Sequence, residues 1–254
     1  IPVIQGGMGV GVSLSGLASA VANEGGVGVI SCAGLGLIYR EKARSYMESC
    51  IVGLKEEIRK TKEKTTGIVG VNIMMALTNF SDMVKTAIAE KADVIFAGAG
   101  LPLDLPKYLT PGSITKLVPI VSSARAAKII CEKWKTNYDY LPDLIVVEGP
   151  KAGGHLGFKQ NQIVDPNYSI ENLIPDVVRE VALFEEKYSQ EIPVVAAGGI
   201  YDGENMYKIM QLGAKGVQIA SRFVTTDECD ADIKFKNSYI KAGENDVEII
   251  QSPV

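Results

Sequence analysis

The sequence predicts a (β/α)₈ barrel, and three features of its pattern point there. Short β-branched runs alternate with longer amphipathic stretches along almost the whole chain. The short runs are nearly continuous in apolar residues, as in Leu144-Ile145-Val146-Val147, which marks parallel strands covered on both faces. Nearly every run also ends in glycine or a polar residue. In a barrel such residues belong at the C-terminal strand ends, where the loops converge on one mouth. Eight runs between residues 3 and 219 suit a closed barrel better than an open doubly wound sheet.

Taken in order, Val3-Ile4-Gln5 is the first strand, followed by Gly6-Gly7-Met8-Gly9 and a helix over 14–23. The second strand covers 27–31 and precedes a long charged helix over 41–64. The third, 68–74, carries the polar Asn72 inside an apolar run and leads to a helix over 81–91. The fourth, 93–97, ends in Gly98-Ala99-Gly100. The fifth, 116–121, runs into Ser122 and Ser123 and a helix over 124–134. The sixth, 144–148, ends in Glu148 and opens a glycine-rich loop over 150–158, with a helix over 172–188. The seventh, 193–197, meets Gly198-Gly199 before a helix over 205–212. The eighth, 216–219, leads through Gln218 to Ala220, Ser221 and Arg222. The expected repeat is strand then helix, eight times. No linker interrupts it, so one domain over 1–254 is expected, with insertions at 32–66 and 156–172.

Composition narrows the function. With Lys+Arg 26 against Asp+Glu 30, the net charge is −4 and no basic stripe is present, which argues against nucleic acid as a partner. The charged stretch 55–64 mixes signs and reads as a solvated helix face. Cys32, Cys50, Cys131 and Cys229 form no CxxC pair, and His155 is the only histidine, so no metal site is expected. Four reduced thiols in a cytoplasmic protein is the plain reading. No apolar run reaches about 18 residues, and no basic segment precedes an apolar one at the start, so neither a membrane span nor a signal peptide is expected. The chain opens directly in a strand, which suggests that a few residues precede it.

Two strand tips carry the most chemistry. In such barrels, glycines after strands seven and eight let backbone N–H groups approach a phosphate, aided by a helix N-terminus. Ala197-Gly198-Gly199, followed by Asp202-Gly203 and a helix, suits that role, and Ser221 adds a hydroxyl. The plainer alternative is a pair of turns that need positive φ and bind nothing. No GxGxxG opens a βαβ unit, so a Rossmann nucleotide site is not supported. His155 lies just past a strand tip, between Gly154 and Leu156-Gly157. A lone histidine is by default a bland residue, but this loop lets a ligand come close. Imidazole can exchange a proton near neutrality, so His155 is the catalytic candidate. Cys32 near the second tip has no activating base and is read as inert.

These motifs resemble a known family. Pro2-Val3-Ile4-Gln5-Gly6-Gly7-Met8, Gly153-Gly154-His155-Leu156-Gly157, Ala196-Ala197-Gly198-Gly199-Ile200 and Gly216-Val217-Gln218 occur in this order and spacing in nitronate monooxygenases, formerly called 2-nitropropane dioxygenases. The FMN-dependent enoyl-[acyl-carrier-protein] reductases share much of the pattern. The resemblance implies a TIM barrel holding FMN non-covalently. By motif position Gly7 and Met8 line the isoalloxazine, and Asn72 and Glu148 contact its ring or ribityl chain. Gly154, Ala197, Gly198, Gly199, Ala220 and Ser221 hold ribityl and phosphate, with Gln218 nearby. His155 faces the flavin from the substrate side. Three roles stay open for Glu148: general base, flavin hydrogen-bond partner and structural carboxylate. Lys151 either attracts an anionic group or decorates the loop.

The implied activity is oxidation of alkyl nitronates by O₂ to a carbonyl compound and nitrite, with the flavin carrying the redox step. The alternative is an NAD(P)H-dependent flavin reductase acting on an enoyl-acyl-carrier-protein or a quinone. An acyl carrier protein would call for a basic patch, and Lys151, Lys159 and Arg125 are too few to make one. A barrel that binds a phosphate ligand without redox chemistry is a third reading. A homodimer is an open option. The sequence departs from the family at Ala220-Ser221-Arg222-Phe223, where Gly-Thr-Arg-Phe is usual, and at Lys151. It also stops at Val254, so the C-terminal segment is expected to be incomplete.

Overall fold

Side-chain alternation along each strand decides what the barrel encloses and what its helices cover. The computed structural model describes residues 2–250, the side chain of Glu244 excepted. Its strands are β1 Val3–Gln5, β2 Val27–Ser31, β3 Ile68–Met74, β4 Val94–Gly98, β5 Lys116–Val121, β6 Ile145–Glu148, β7 Val194–Ala197 and β8 Gly216–Ile219. All pair in parallel and in sequence order, with β8 returning to β1 to close the barrel. Val29, Phe96, Val118, Val146 and Val195 pack together inside. Their strand neighbours Ile30, Ile95, Leu117, Val147 and Ala196 face the other way and join the helices in the larger core. This two-sided burial explains the nearly unbroken apolar runs.

The helices are α1 Ser15–Asn23, α2 Leu35–Ile38, α3 Tyr46–Lys64, α4 Phe80–Ala89, α5 Ala124–Tyr138, α6 Gln160–Ile163, α7 Ile170–Tyr188, α8 Gly203–Gln211, α9 Ser221–Val224 and α10 Ile233–Lys241. Two expectations need correction. The repeat is interrupted after β4, where a loop with one short 3-10 turn, Leu105–Tyr108, replaces a helix. Pro102, Pro106 and Pro111 deny this loop backbone donors. It is fastened instead by the fully buried Trp134, whose indole N–H donates to the Pro102 carbonyl at 2.8 Å. The charged helix expected over 41–64 begins at Tyr46, where the Ser45 hydroxyl accepts the Glu48 N–H. Because α3 packs on α1 and α4 as part of the helix ring, the added segment here is only the part before it.

Two devices fix the β1 end of the barrel. β1 meets β2 through the register pair Ile4↔Val27, and the buried Gln5 side chain extends the seam by accepting the Val29 N–H at 2.9 Å. The exposed first-turn donors of α1 are then taken by two carboxylates. Asp230 accepts from the N–H groups of Leu14, Gly16 and Leu17 at 2.8, 2.9 and 3.1 Å, and Glu57 accepts from Ser15 at 2.7 Å. The positive end of α1 is thereby neutralised by protein, and the loop 6–14 is held at both ends.

Among the described residues, no helix is long and apolar enough to cross a membrane. None of their His, Cys, Asp and Glu side chains form a group of three or more that could hold a metal ion.

Candidate active site

Strand register builds the floor of the site. Glu148 on β6 pairs with Ala197 on β7, which pairs with Gln218 on β8, so the three lie in one row. The inward-facing parity that buries Val146 and Val195 carries Glu148 and Ala197 one step further, to the barrel mouth. Asn72 reaches the same mouth from β3. These residues line a cavity of about 640 Å³ at the C-terminal strand ends. Among the described residues none hydrogen-bonds the side chains of Asn72, Glu148 or Gln218. Burial pushes the Glu148 carboxyl up to about 7, and no neighbouring donor opposes it.

Loops form the walls. Gly7 must be bare, because a Cβ there would lie 2.4 Å from the Cβ of Asn72. Met8 follows, held by its N–H donating to the Ser13 hydroxyl at 2.8 Å. On the β6 side Gly154, at φ +82°, presents His155 at the cavity edge. His155 is exposed and hydrogen-bonds no described residue, so its ring is available to a ligand. Gly198 and Gly199 adopt φ of +98° and +75°, and a Cβ on Gly198 would meet the Ala152 backbone nitrogen at 2.6 Å. This turn therefore requires glycine on both counts. The expected help from the α8 N-terminus is modified. Asp202 caps that helix itself, accepting the Asn205 N–H at 2.8 Å, and its charge offsets the helix dipole. Gly198, Gly199, Ala220 and Ser221 line the cavity beside this capped helix end.

The residues singled out in the sequence come together here: Gly7, Met8, Asn72, Glu148, Gly154, His155, Ala197, Gly198, Gly199, Gln218, Ala220 and Ser221 all line the cavity. Lys151 and Arg222 line it as well. Ser122 and Ser123 do not, since the first donates to the Gly157 carbonyl and the second caps α5. Cys32 is buried, and burial together with nearby Cys50 raises its thiol far above the ordinary range, so it is no nucleophile. All four cysteines are free and buried. Sequence reasoning missed Val10, Tyr201, Phe235 and Tyr239, which form the outer wall. Phe235 and Tyr239 stand four apart on α10 with ring centroids 5.2 Å from one another, and that spacing was the available signal. A second depression, of about 500 Å³, lies on the helix ring between α5 and α7 and touches no strand end.

Comparison with known proteins settles the kinship. The family model described as nitronate monooxygenase matches residues 1–95 and, overlapping, 55–254. The chain belongs to the nitronate monooxygenase family. It is 27% identical to a probable nitronate monooxygenase of Staphylococcus haemolyticus, over 96% of this chain and 70% of that one. It is 28% identical to a (3aS,4S,5R,7aS)-5-hydroxy-7a-methyl-1-oxo-octahydro-1H-indene-4-carboxyl-CoA dehydrogenase of Rhodococcus jostii, over 98% of this chain and 59% of that protein. Among solved structures, FabK from Thermotoga maritima superposes with a TM-score of 0.71 at 30% identity, covering 95% of this chain and 64% of that one. The chain thus spans about three-fifths of the length of these last two relatives. The nitroalkane oxidase of Streptomyces ansochromogenes shares the fold, with a TM-score of 0.71 at 21% identity.

The features of this family's site fit a flavin. A flat ring needs a floor without side-chain bulk, and Gly7 provides one beside the aliphatic Met8. Its heteroatoms need donors and acceptors, and the unpartnered Asn72, Glu148 and Gln218 side chains can supply both. A terminal phosphate needs backbone amides with no Cβ in the way, as in the Gly198-Gly199 turn.

Proposed function

We propose that this chain is the catalytic barrel of an FMN-dependent oxidoreductase that oxidises alkyl nitronates with O₂ to a carbonyl compound and nitrite. The observation that carries the reading is the row of unpartnered polar groups at the barrel mouth, with His155 free at its edge. FMN, when bound, supplies the electron-transfer chemistry that no side chain here can perform. Gly7, Met8, Asn72, Glu148 and Gln218 hold the ring and ribityl chain, while Gly154, Ala197, Gly198, Gly199, Ala220 and Ser221 hold the phosphate end. His155 takes the proton from a neutral nitroalkane, or donates a hydrogen bond to the anionic nitronate and fixes its orientation. Val10, Phe235 and Tyr239 shield the reacting groups from water.

A second reading is an NAD(P)H-dependent flavin reductase of a thioester or quinone. Its support is the likeness to FabK and to a protein named for a carboxyl-CoA substrate. Anaerobic mixing of the FMN-loaded protein with an alkyl nitronate, and separately with NADH or NADPH, distinguishes the two by flavin absorbance. The nitronate reading expects a spectral change with nitronate and none with nicotinamide. Rapid bleaching by nicotinamide and indifference to nitronate would replace it with the reductase. In either case His155→Ala is expected to keep FMN and lose turnover by about 10²–10⁴-fold. Turnover near the parent value would show that His155 has another role.

A further inference from the structure

We propose that Lys151 is the cation that neutralises the cofactor phosphate, a contact that rests on the FMN reading above. The phosphate-facing loops have lost two common sources of positive potential. The α8 end carries the Asp202 carboxylate, and Arg222 is engaged elsewhere. Its guanidinium donates to the Tyr201 carbonyl at 2.8 Å and lies 4.9 Å from the centre of the Tyr201 ring.

Lys151 is the cavity-lining cation left over. Among the described residues it forms no ion pair, hydrogen bond or ring contact. Its stem is laid directly across the turn in question. A Cβ on Gly199 would lie 3.0 Å from Lys151 Cδ and 3.2 Å from Lys151 Cβ. Gly199 thus has no side chain for two reasons: its φ of +75°, and the lysine stem that occupies the space. A flexible stem that passes over Gly199 gives the ammonium reach to a phosphate held by the Gly198-Gly199 amides, which would otherwise have only partial backbone charge to face. An ammonium is a compact charge on a flexible stem, suited to a phosphate oxygen.

The test compares two ligands that differ only in the phosphate, FMN and riboflavin, by quenching of flavin fluorescence on the purified protein. The parent protein is expected to prefer FMN. Lys151→Met keeps an unbranched stem over Gly199 and is expected to weaken FMN by about 10-fold or more, with riboflavin affinity unchanged within about twofold. Lys151→Arg should retain the FMN preference. Equal loss for both flavins in Lys151→Met would mean that the stem acts by packing, and unchanged FMN affinity would mean that the charge is not used; either overturns the proposal. A parent protein that binds neither flavin overturns the FMN reading and the proposal together.

Discussion

Glu57 on α3 and Glu148 at the end of β6 are both withdrawn from solvent, yet their surroundings differ in kind. Burial works against ionising Glu57, but hydrogen bonds from the Tyr39 hydroxyl and the Ser15 amide, with the Lys60 ammonium 3.3 Å away, outweigh it and hold the carboxyl below its usual range. Glu148 is raised by burial and meets no donor. The first carboxylate is a finished structural joint, tying α3 to the start of α1. The second is incomplete as protein alone, and its oxygens open on the cavity. Glu148 is half-buried and lines the cavity, so a ligand there could meet it where no protein donor does. The row at the barrel mouth is therefore the surface open to a ligand, although Glu57 has the denser hydrogen-bond network.

The contrast can be broken by mutation. Glu57→Ala should have the largest effect on stability, about 3 kcal/mol in urea unfolding, because it strands the Tyr39 and Lys60 partners and an α1 donor together. A loss under about 1 kcal/mol would show that this joint is dispensable. Asp230→Ala removes the acceptor for three other α1 amides at a more exposed position and should cost about 1–2 kcal/mol by the same measurement.

Glu148→Gln should act in the opposite direction. Because the folded-state value of Glu148 lies above its ordinary 4.5, its contribution to stability is complete below about 4.5 and is lost as pH rises through about 7. The cofactor-free glutamine variant should therefore match the parent near pH 4 and become progressively the more stable of the two as pH rises to 8, by up to about 3 kcal/mol. Parallel stability curves across that range would contradict the assignment. Glu57 behaves inversely, stabilising above the ordinary carboxylate value and losing that contribution as pH falls below it. The smallest effect belongs to His155→Ala, which should leave the unfolding free energy within about 0.5 kcal/mol, since the exposed ring holds nothing.

How much of this was legible follows from where each signal is written. Strand periodicity and apolar continuity are local, so the limits of β3, β5 and β8 match the structure at both ends. Strand-tip residues become site residues by topology alone, which is why Asn72, Glu148, His155, Gly198 and Gln218 could be grouped before any contact was known. Non-local substitutions were not legible. The missing helix after β4 is replaced by a tryptophan contact across 32 residues, and the caps of α1 come from Glu57 and Asp230, 42 and more than 200 residues away. The outer wall from α10 lies beyond the last strand tip, where the barrel rule has nothing to say about Phe235 and Tyr239.

The most direct test of the account is to purify the protein, record its visible spectrum and identify the small molecule released on denaturation. A flavin spectrum and FMN released at about one per chain are expected, with Glu148 no longer titrating near pH 7 while FMN is bound. A colourless protein that takes up no FMN when it is supplied would contradict it, and would leave a barrel that binds a phosphate ligand without redox chemistry.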